Sequence, residues 1–365
     1  MIVKTSGACN MACRYCDADI YSHQRMSFGV LAHLTRKALQ SHRDVNLIWH
    51  GGEPLLLWKD FYRKAVWLQQ RYRRPDQHVT NTLQTNGTLL DEEWLDLFDA
   101  VGFQIGLSLD GPALLHDRNR ILHNQQGTFE RVMQAVSLLR KRRRGFGVLA
   151  VVSDDTIRLG AREFFRFFVD NGLKHFALLC HRPALNVGQT DYVPRSEHSA
   201  FVREVFDLWL AEDDPEICIR DFDSIVRALL GGRHSTCLLA GGCIGAYFAV
   251  DMVGDVYHCD EFMFDPEYRV GNITVDEFGQ QAMSVNIQAL SQKNAEEIER
   301  LDCPWLHICN GGCPKDRYVG RSFASDGKVR CCGFADLIAH ISSRIGATPG
   351  LTHGSVTGLA SRPVR

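Results

Sequence analysis

Cys9, Cys13 and Cys16 stand in the run Cys-Asn-Met-Ala-Cys-Arg-Tyr-Cys, a C-x3-C-x2-C spacing close to the start of the chain. Thiolates are the usual ligands of a cubic four-iron cluster, which has four corners. Three thiolates leave one iron open, and an open iron can bind a small molecule, so the spacing points to chemistry rather than electron storage. A zinc knuckle is the competing reading. Zinc sites normally close with four ligands, and no obvious fourth lies near these three.

With Tyr15 before its last cysteine, the motif resembles the signature of the radical S-adenosylmethionine (radical SAM) superfamily. The resemblance implies a [4Fe-4S] cluster whose open iron is chelated by S-adenosyl-L-methionine. It also implies a 5′-deoxyadenosyl radical that takes hydrogen from an unactivated C–H bond. In such enzymes the cofactor carries the hard chemistry, and the protein binds, orients and shields.

Further motifs follow in order. Gly51-Gly52-Glu53-Pro54 is similar to the family's GGEP motif, which holds the cofactor's amino group. The two glycines would let backbone approach a ligand closely, and Glu53 could accept from an ammonium. In Gln84-Thr85-Asn86-Gly87-Thr88 the Asn-Gly pair is a turn signal, while Gln84 and Thr85 are candidates to face a cavity. In Ser108-Leu109-Asp110-Gly111-Pro112, Ser108 is a candidate for the ribose or methionyl end of the cofactor. Asp110 is a candidate for the cofactor or for capping a turn. His116, Asp117 and Arg120 follow. Arg120 or Arg131 could pair with the cofactor's carboxylate as a bidentate donor. Together, QTNG and SLDGP with HD and R downstream resemble the anaerobic sulfatase-maturase-like branch, over roughly residues 1–335.

A second block holds Cys237, Cys243, Cys259, Cys303, Cys309, Cys313, Cys331 and Cys332. It is similar to the SPASM extension, which carries two auxiliary iron–sulfur clusters; zinc ribbons are the alternative. The resemblance implies Cys237, Cys243, Cys259 and Cys313 for the first cluster. It implies Cys303, Cys309 and Cys331 or Cys332 for the second. Arg300 stands where the family pattern has a cysteine, so the second cluster lacks one expected thiolate. Asp302, His307 or Cys332 could replace it, or the corner stays open. Oxygen is a poorer match to iron–sulfide than thiolate. Asp260 follows Cys259 directly, where the sulfatase-maturase group has its catalytic base. A loop-capping acid is the plainer reading. Cys180 ends the sixth expected strand, next to His181, and is a candidate substrate contact, while Cys218 reads as a core residue between Ile217 and Ile219.

The elements that must position these residues alternate. Strands are expected at 2–5, 46–50, 79–84, 104–109, 147–152 and 175–179, with helices at 30–41, 57–71, 92–101, 129–142 and 160–171. Such alternation argues for an α/β fold with a parallel sheet, and the resemblance implies a partial (β/α)6 TIM-type barrel followed by a Cys-rich SPASM-like domain. In such barrels the site lies at the C-terminal strand ends. The expected order is a barrel at 1–190, a helical bridge at 191–235, the auxiliary domain at 236–335, and a C-terminal helix with a disordered tail at 336–365. Phe164-Phe165-Arg166-Phe167-Phe168 reads as a helix packed on the sheet, and Lys141-Arg142-Arg143-Arg144 as a solvated helix end.

The net charge of −2 over 365 residues gives no basic field, so neither nucleic acid nor membrane is an expected partner. No signal peptide and no spanning apolar run are seen. Thirteen cysteines in such a chain argue for metal ligation and a reducing cytoplasm. The first function to weigh is oxidation of a peptide or protein, with a reductant such as flavodoxin or ferredoxin as partner. The Arg300 departure, and Asp17 where maturases tend to an aromatic, tilt this toward thioether or C–C crosslinking of a ribosomal precursor peptide. The alternatives are an anaerobic sulfatase maturase making formylglycine from Cys or Ser, a small-molecule radical SAM dehydrogenase, and a non-catalytic metal module.

Overall fold

The structure is a computed structural model that describes residues 1–16, 23–183, 191–277, 284–323 and 332–347. Asp17, Cys331 and the tail from Thr348, all singled out above, lie outside the described residues.

In chain order the strands are β1 Ile2–Lys4, β2 Asp44–His50, β3 His78–Thr85, β4 Phe103–Ser108, β5 Phe146–Val152, β6 His175–Cys180, β7 Cys218–Ile219, β8 Ala249–Val250, β9 Asp255–Tyr257 and β10 Arg269–Asn272. The helices that return the chain between the first five are α1 Phe28–Ser41, α2 Lys59–Tyr72, α3 Glu92–Val101, α4 Ala113–Asn119 and α5 Phe129–Lys141. The fold is thus mixed α/β with a parallel sheet, as the alternation predicts. Two compact units form: residues 1–150, 183–191 and 242–293 in one, and 151–182, 192–241 and 294–365 in the other.

In the first unit the sheet runs β10-β9-β8-β1-β2-β3-β4-β5. Neighbours from β8 to β5 are parallel, and β9 pairs antiparallel with both β8 and β10. Its two faces differ sharply. Val45, Leu47 and Trp49 of β2, Leu83 of β3, and Phe103, Ile105 and Leu107 of β4 are buried on one face. There Trp49 meets Tyr62 edge-on at 5.9 Å and stacks near Phe103 at 6.1 Å, a geometry aromatic pairs prefer. The opposite face carries His50, Gln84, Gly106 and Ser108, all half-buried. Register sets Lys4 beside His50 and Gln84 beside Gly106. One sheet therefore has an aromatic outer face and a polar inner one.

Local chemistry fixes the helix ends. The Ser27 hydroxyl accepts the N–H of Val30 at 3.2 Å to start α1. The Asp91 carboxylate accepts that of Trp94 at 2.8 Å to start α3, which ends on left-handed Gly102. The basic run after α5 pairs with acids of α3: Lys141 Nζ lies 3.0 Å and Arg142 2.7 Å from Glu92. The run does end a helix, but it is not wholly solvated: the Arg144 side chain is 14% exposed and pairs with Asp99.

In the second unit β6 and β7 pair in parallel. Phe164, Phe165 and Phe168, on helix Ala161–Asp170, are buried, and Phe168 stacks on Phe176 of β6 at 4.4 Å. Cys218 corrects the expectation. It is exposed, while Ile217 and Ile219 are buried, because strand alternation turns every second side chain outward. Among the described residues, no helix is long and apolar enough to cross a membrane.

Candidate functional site

Residues 7–16 leave β1 as an irregular loop carrying Cys9, Cys13 and Cys16, all free thiols. Three segments clamp it. The N–H groups of Gly52 and Glu53 donate to the carbonyls of Ser6 (2.8 Å) and Ala8 (2.9 Å). Ala12 and Arg14 donate to the carbonyls of Ile121 (2.8 Å) and Asn119 (2.9 Å), at the C-terminal end of α4. From the β3 loop, Asn86 Nδ2 donates to Asn10 Oδ1 at 2.9 Å, and Asn10 in turn donates to Thr88 Oγ1 at 2.8 Å.

Gly51 and Gly52 are needed here for a reason other than ligand approach. A Cβ at Gly51, where φ is +147°, would lie 2.5 Å from the carbonyl oxygen of Ser6, and one at Gly52 only 2.2 Å from that of Ala8. Their bare backbone lets the β2 loop lie flat against the cysteine loop.

Glu53 also differs from expectation. It is fully buried, and its carboxylate accepts from the N–H of Leu55 (2.9 Å), the hydroxyl of Thr85 (2.8 Å) and the N–H of Asn86 (2.9 Å). Burial pushes it up to about 7, against the pull of those donors. Glu53 and Thr85 thus join the β2 loop to the β3 loop rather than facing a cavity, and Pro54 is buried with its carbonyl taken by Tyr62 at 2.8 Å.

Asp110 and Arg120 are likewise committed to each other. Asp110 is fully buried, its Oδ1 is 3.1 Å from Arg120 Nε, and its Oδ2 accepts the hydroxyl of Tyr15. The Arg120 guanidinium also lies 5.3 Å from the Tyr15 ring centre. The three lock the end of the cysteine loop to β4. Arg131 is exposed on α5 and is not among the gathered residues. His116 and Asp117 are structural as well: His116 Nε2 meets Thr128 Oγ1 at 3.0 Å, and Asp117 accepts the N–H groups of Thr128 and Phe129.

Gln84 and Ser108 remain available on the inner face. Gln84 lies across Gly106, where a Cβ would sit 2.2 Å from its Oε1, and donates to Ser108 Oγ at 3.1 Å.

Asp260 begins a single 3-10 turn after β9 and reaches the same face from the far end of the chain. Its Oδ2 is 3.8 Å from Lys4 Nζ, which is itself 3.3 Å from His50 Nδ1. Burial alone would raise the Asp260 carboxyl; the Lys4 charge, helped by the Cys259 thiol 3.6 Å from its Oδ1, more than offsets this and holds it below the ordinary range. Burial, with the Lys4 charge, drives His50 down to about 3, so its ring is neutral at pH 7. Lys4 and His50 are the two members of this group that sequence reading missed. The β1–β2 register supplies the signal: both precede a motif already singled out.

The donor set suits a cluster bound through three thiolates. Burial pushes the Cys9 thiol up to about 12, while the N–H of Met11, 3.4 Å from its sulfur, pulls it down. Burial also raises Cys13, against the nearby Arg120. Such thiols ionise with a cation against them, as metal binding requires. Among the described residues no group of three or more His, Cys, Asp and Glu is arranged to hold a single metal ion.

The later cysteines divide between the units. Cys243 and Cys259 belong to the first; Cys237, Cys303, Cys309, Cys313 and Cys332 belong to the second, and all are free thiols. In the second unit, Gly311 and Gly312 separate Cys309 from Cys313, and buried Arg317 donates to the Gly312 carbonyl at 3.0 Å and to that of Gly311. Cys332 packs behind this turn: a Cβ on Gly312 would be 2.6 Å from the Cys332 Cβ. Arg300 points away, 76% exposed and 4.0 Å from Glu296, and Asp302 and His307 are exposed. Cys180 turns its sulfur to the Val193 carbonyl at 3.4 Å.

Comparisons with known proteins agree with this picture. A sequence profile of the radical SAM superfamily matches residues 3–157. A serine-type anaerobic sulfatase-maturating enzyme of Bacteroides thetaiotaomicron is 32% identical, over 94% of this chain and 89% of its own. A cysteine-type enzyme of the same description from Clostridium perfringens is 28% identical, over 94% and 96%. Among solved structures, native anSMEcpe with bound AdoMet and a Kp18Cys peptide superposes with a TM-score of 0.81 at 26% identity, covering 95% of this chain and 96% of that one.

Proposed function

Because the chain belongs to the radical SAM superfamily, in its sulfatase-maturase-like branch, we propose that this radical SAM enzyme oxidises a Cys or Ser residue of a sulfatase to formylglycine. The observation that carries the reading is the likeness to sulfatase-maturating enzymes along 94% of the chain. That likeness favours formylglycine formation over the peptide crosslinking that Arg300 and Asp17 suggest, because it spans both the cysteine loop and the later cysteine block.

When bound, a [4Fe-4S] cluster on Cys9, Cys13 and Cys16 with S-adenosylmethionine supplies the radical that removes a hydrogen atom from the substrate Cβ. Gln84 and Ser108 orient the cofactor on the inner face. Asn86 and the N–H of Met11, directed at Cys9, temper the charge on its sulfur. Asp260 takes the proton of the substrate thiol or hydroxyl. Loss of a hydrogen atom, a proton and one electron converts serine to the aldehyde directly. From cysteine it leaves a thioaldehyde, which water converts to the aldehyde and hydrogen sulfide. Auxiliary clusters on the later cysteines, with Cys303, Cys309 and Cys332 of the second unit as candidate ligands of one, would supply the electron acceptor. A low-potential protein such as flavodoxin or ferredoxin would supply the electron that starts the cycle.

The test is anaerobic incubation of the reconstituted protein with S-adenosylmethionine, reductant and synthetic peptides carrying a sulfatase maturation sequence with Cys or Ser at the target position. Formylglycine, captured as its hydrazone and located by mass spectrometry, is the expected product. An oxidised peptide that yields no aldehyde but an internal link would replace this reading with crosslinking.

A further inference from the structure

Lys4 is buried, and its charge sits on the inner face of the sheet rather than at the surface. A buried ammonium is costly unless it is paired and hydrogen-bonded, so what it touches explains why a lysine stands there. Its Nζ is 3.8 Å from Asp260 Oδ2 and 3.3 Å from His50 Nδ1. The same Nδ1 accepts the N–H of Gly51 at 2.8 Å. A ring nitrogen that accepts from two donors carries no proton, so the proton of the neutral ring sits on Nε2. Among the described residues, that Nε2 has no hydrogen-bond partner, and the ring is only half-buried. Lys4 therefore fixes two groups at once: a carboxylate that can accept, and an imidazole whose free N–H can only donate.

These three residues arrive from separate parts of the chain. The β1–β2 register makes Lys4 and His50 direct neighbours. β8 adds to the other edge of β1, and β9, paired with β8, delivers Asp260 three residues after its end. The Asp260 turn carries no side-chain cap of its own; the Lys4 ammonium at 3.8 Å anchors its carboxylate, with the N-terminal ammonium of Met1 also acting on it and the Cys259 thiol 3.6 Å from Oδ1.

We propose that Lys4 is a positioning residue of the oxidation: it holds Asp260 where that carboxylate meets the thiol or hydroxyl of the target residue, and it sets His50 as a hydrogen-bond donor beside it. This rests on the functional reading above. The proton moves from the substrate heteroatom to Asp260, while Lys4 keeps its three protons and makes or breaks no bond.

The experiment uses the reconstituted holoenzyme with S-adenosylmethionine, reductant and the Cys peptide. It compares wild type with Lys4→Met, which keeps length but not charge, and Lys4→Arg, which keeps charge. Both 5′-deoxyadenosine and formylglycine are counted, with kcat and KM for the peptide. Lys4→Met is expected to lower the formylglycine formed per 5′-deoxyadenosine by roughly 10- to 100-fold, the scale of a misplaced base, and Lys4→Arg to recover part of it. Three results would overturn the proposal: a wild-type ratio in Lys4→Met, both products falling in step at a constant ratio, or a rise confined to the peptide KM. Each assigns Lys4 to packing or binding alone. A wild type that forms 5′-deoxyadenosine but no formylglycine overturns the functional reading itself, and this proposal with it.

Discussion

Arg120 and Asp110 face each other at 3.1 Å beneath the cysteine loop, with the Tyr15 hydroxyl on the second oxygen of the same carboxylate. The pair holds Cys13 and Cys16 against β4 through the tyrosine between them. Replacing one partner strands the other charge in the interior, which typically costs about 3–5 kcal/mol. Arg120→Met should destabilise the protein to urea by that amount and lower the iron retained after reconstitution. The double variant Asp110→Leu/Arg120→Met should cost less than the sum of the singles, because neither charge is then left alone. Strictly additive losses would show that the two residues act separately.

Glu53 predicts a different pattern. Glu53→Ala leaves the N–H groups of Leu55 and Asn86 without their acceptor, at about 1–3 kcal/mol for each buried group. Glu53→Gln keeps one acceptor oxygen, so it strands only one of the two N–H groups and should lose about half as much. Amide hydrogen exchange at Leu55 and Asn86 is the direct measurement. Faster exchange at both positions in the alanine variant is expected, and unchanged exchange would mean that the loops are held by other contacts.

Gly52→Ala tests whether the β2 loop and the cysteine loop must touch. The new Cβ would sit 2.2 Å from the Ala8 carbonyl oxygen, which the Glu53 N–H already holds at 2.9 Å. Overpacking of this kind costs about 1–3 kcal/mol or more, and here it displaces the loop that bears Cys9. Lower iron content per chain is expected, together with reduced stability. Gly145→Ala is the control, because nothing lies within 4 Å of a Cβ there, so its effect should stay within about 0.5 kcal/mol.

Much of this was legible in the sequence because periodicity is a local signal. The strands and helices of the parallel sheet follow from alternating apolar runs, and the motifs fall at the C-terminal ends of β1 to β4, with Gln84, Thr85 and Ser108 still inside their strands. What did not read through was partnership. Nothing in Gly-Gly-Glu-Pro says that Glu53 turns inward to Thr85 and Asn86 rather than outward to a ligand. That choice is set by tertiary contacts, the Thr85 hydroxyl and the Asn86 N–H converging on its carboxylate from the β3 loop. Asp110 and Arg120 each read as a cofactor contact because sequence spacing does not show that they meet each other. β8 and β9 are two and three residues long, too short for a period to register. Yet they extend the sheet past β1 and bring Asp260 to Lys4. Cys218 reads as core because both neighbours are apolar, and three residues are too few to show in sequence the alternation that buries Ile217 and Ile219 and turns Cys218 outward.

Asp316 gives the clearest dependence on pH. Its Oδ1 lies 2.8 Å from Arg182 Nε and 2.6 Å from an Arg195 terminal nitrogen, in the second unit. Burial alone would raise its carboxyl, but the two guanidinium groups more than reverse this and hold it well below its ordinary value of 3.8. A carboxylate with a depressed folded value stabilises the fold fully above the unfolded value and loses that contribution as pH falls through the folded one. Asp316→Asn removes the charge while keeping the shape, and leaves two buried arginines facing an amide. The wild-type advantage over this variant in urea should therefore be about 3–5 kcal/mol at pH 7. It should hold constant down to about pH 4, then shrink as the solution is made more acid. Because Arg182 and Arg195 stay charged throughout, the narrowing must come from the carboxylate. An advantage that persists undiminished at pH 2, or that narrows between pH 5 and 7, would place the coupling on some other group.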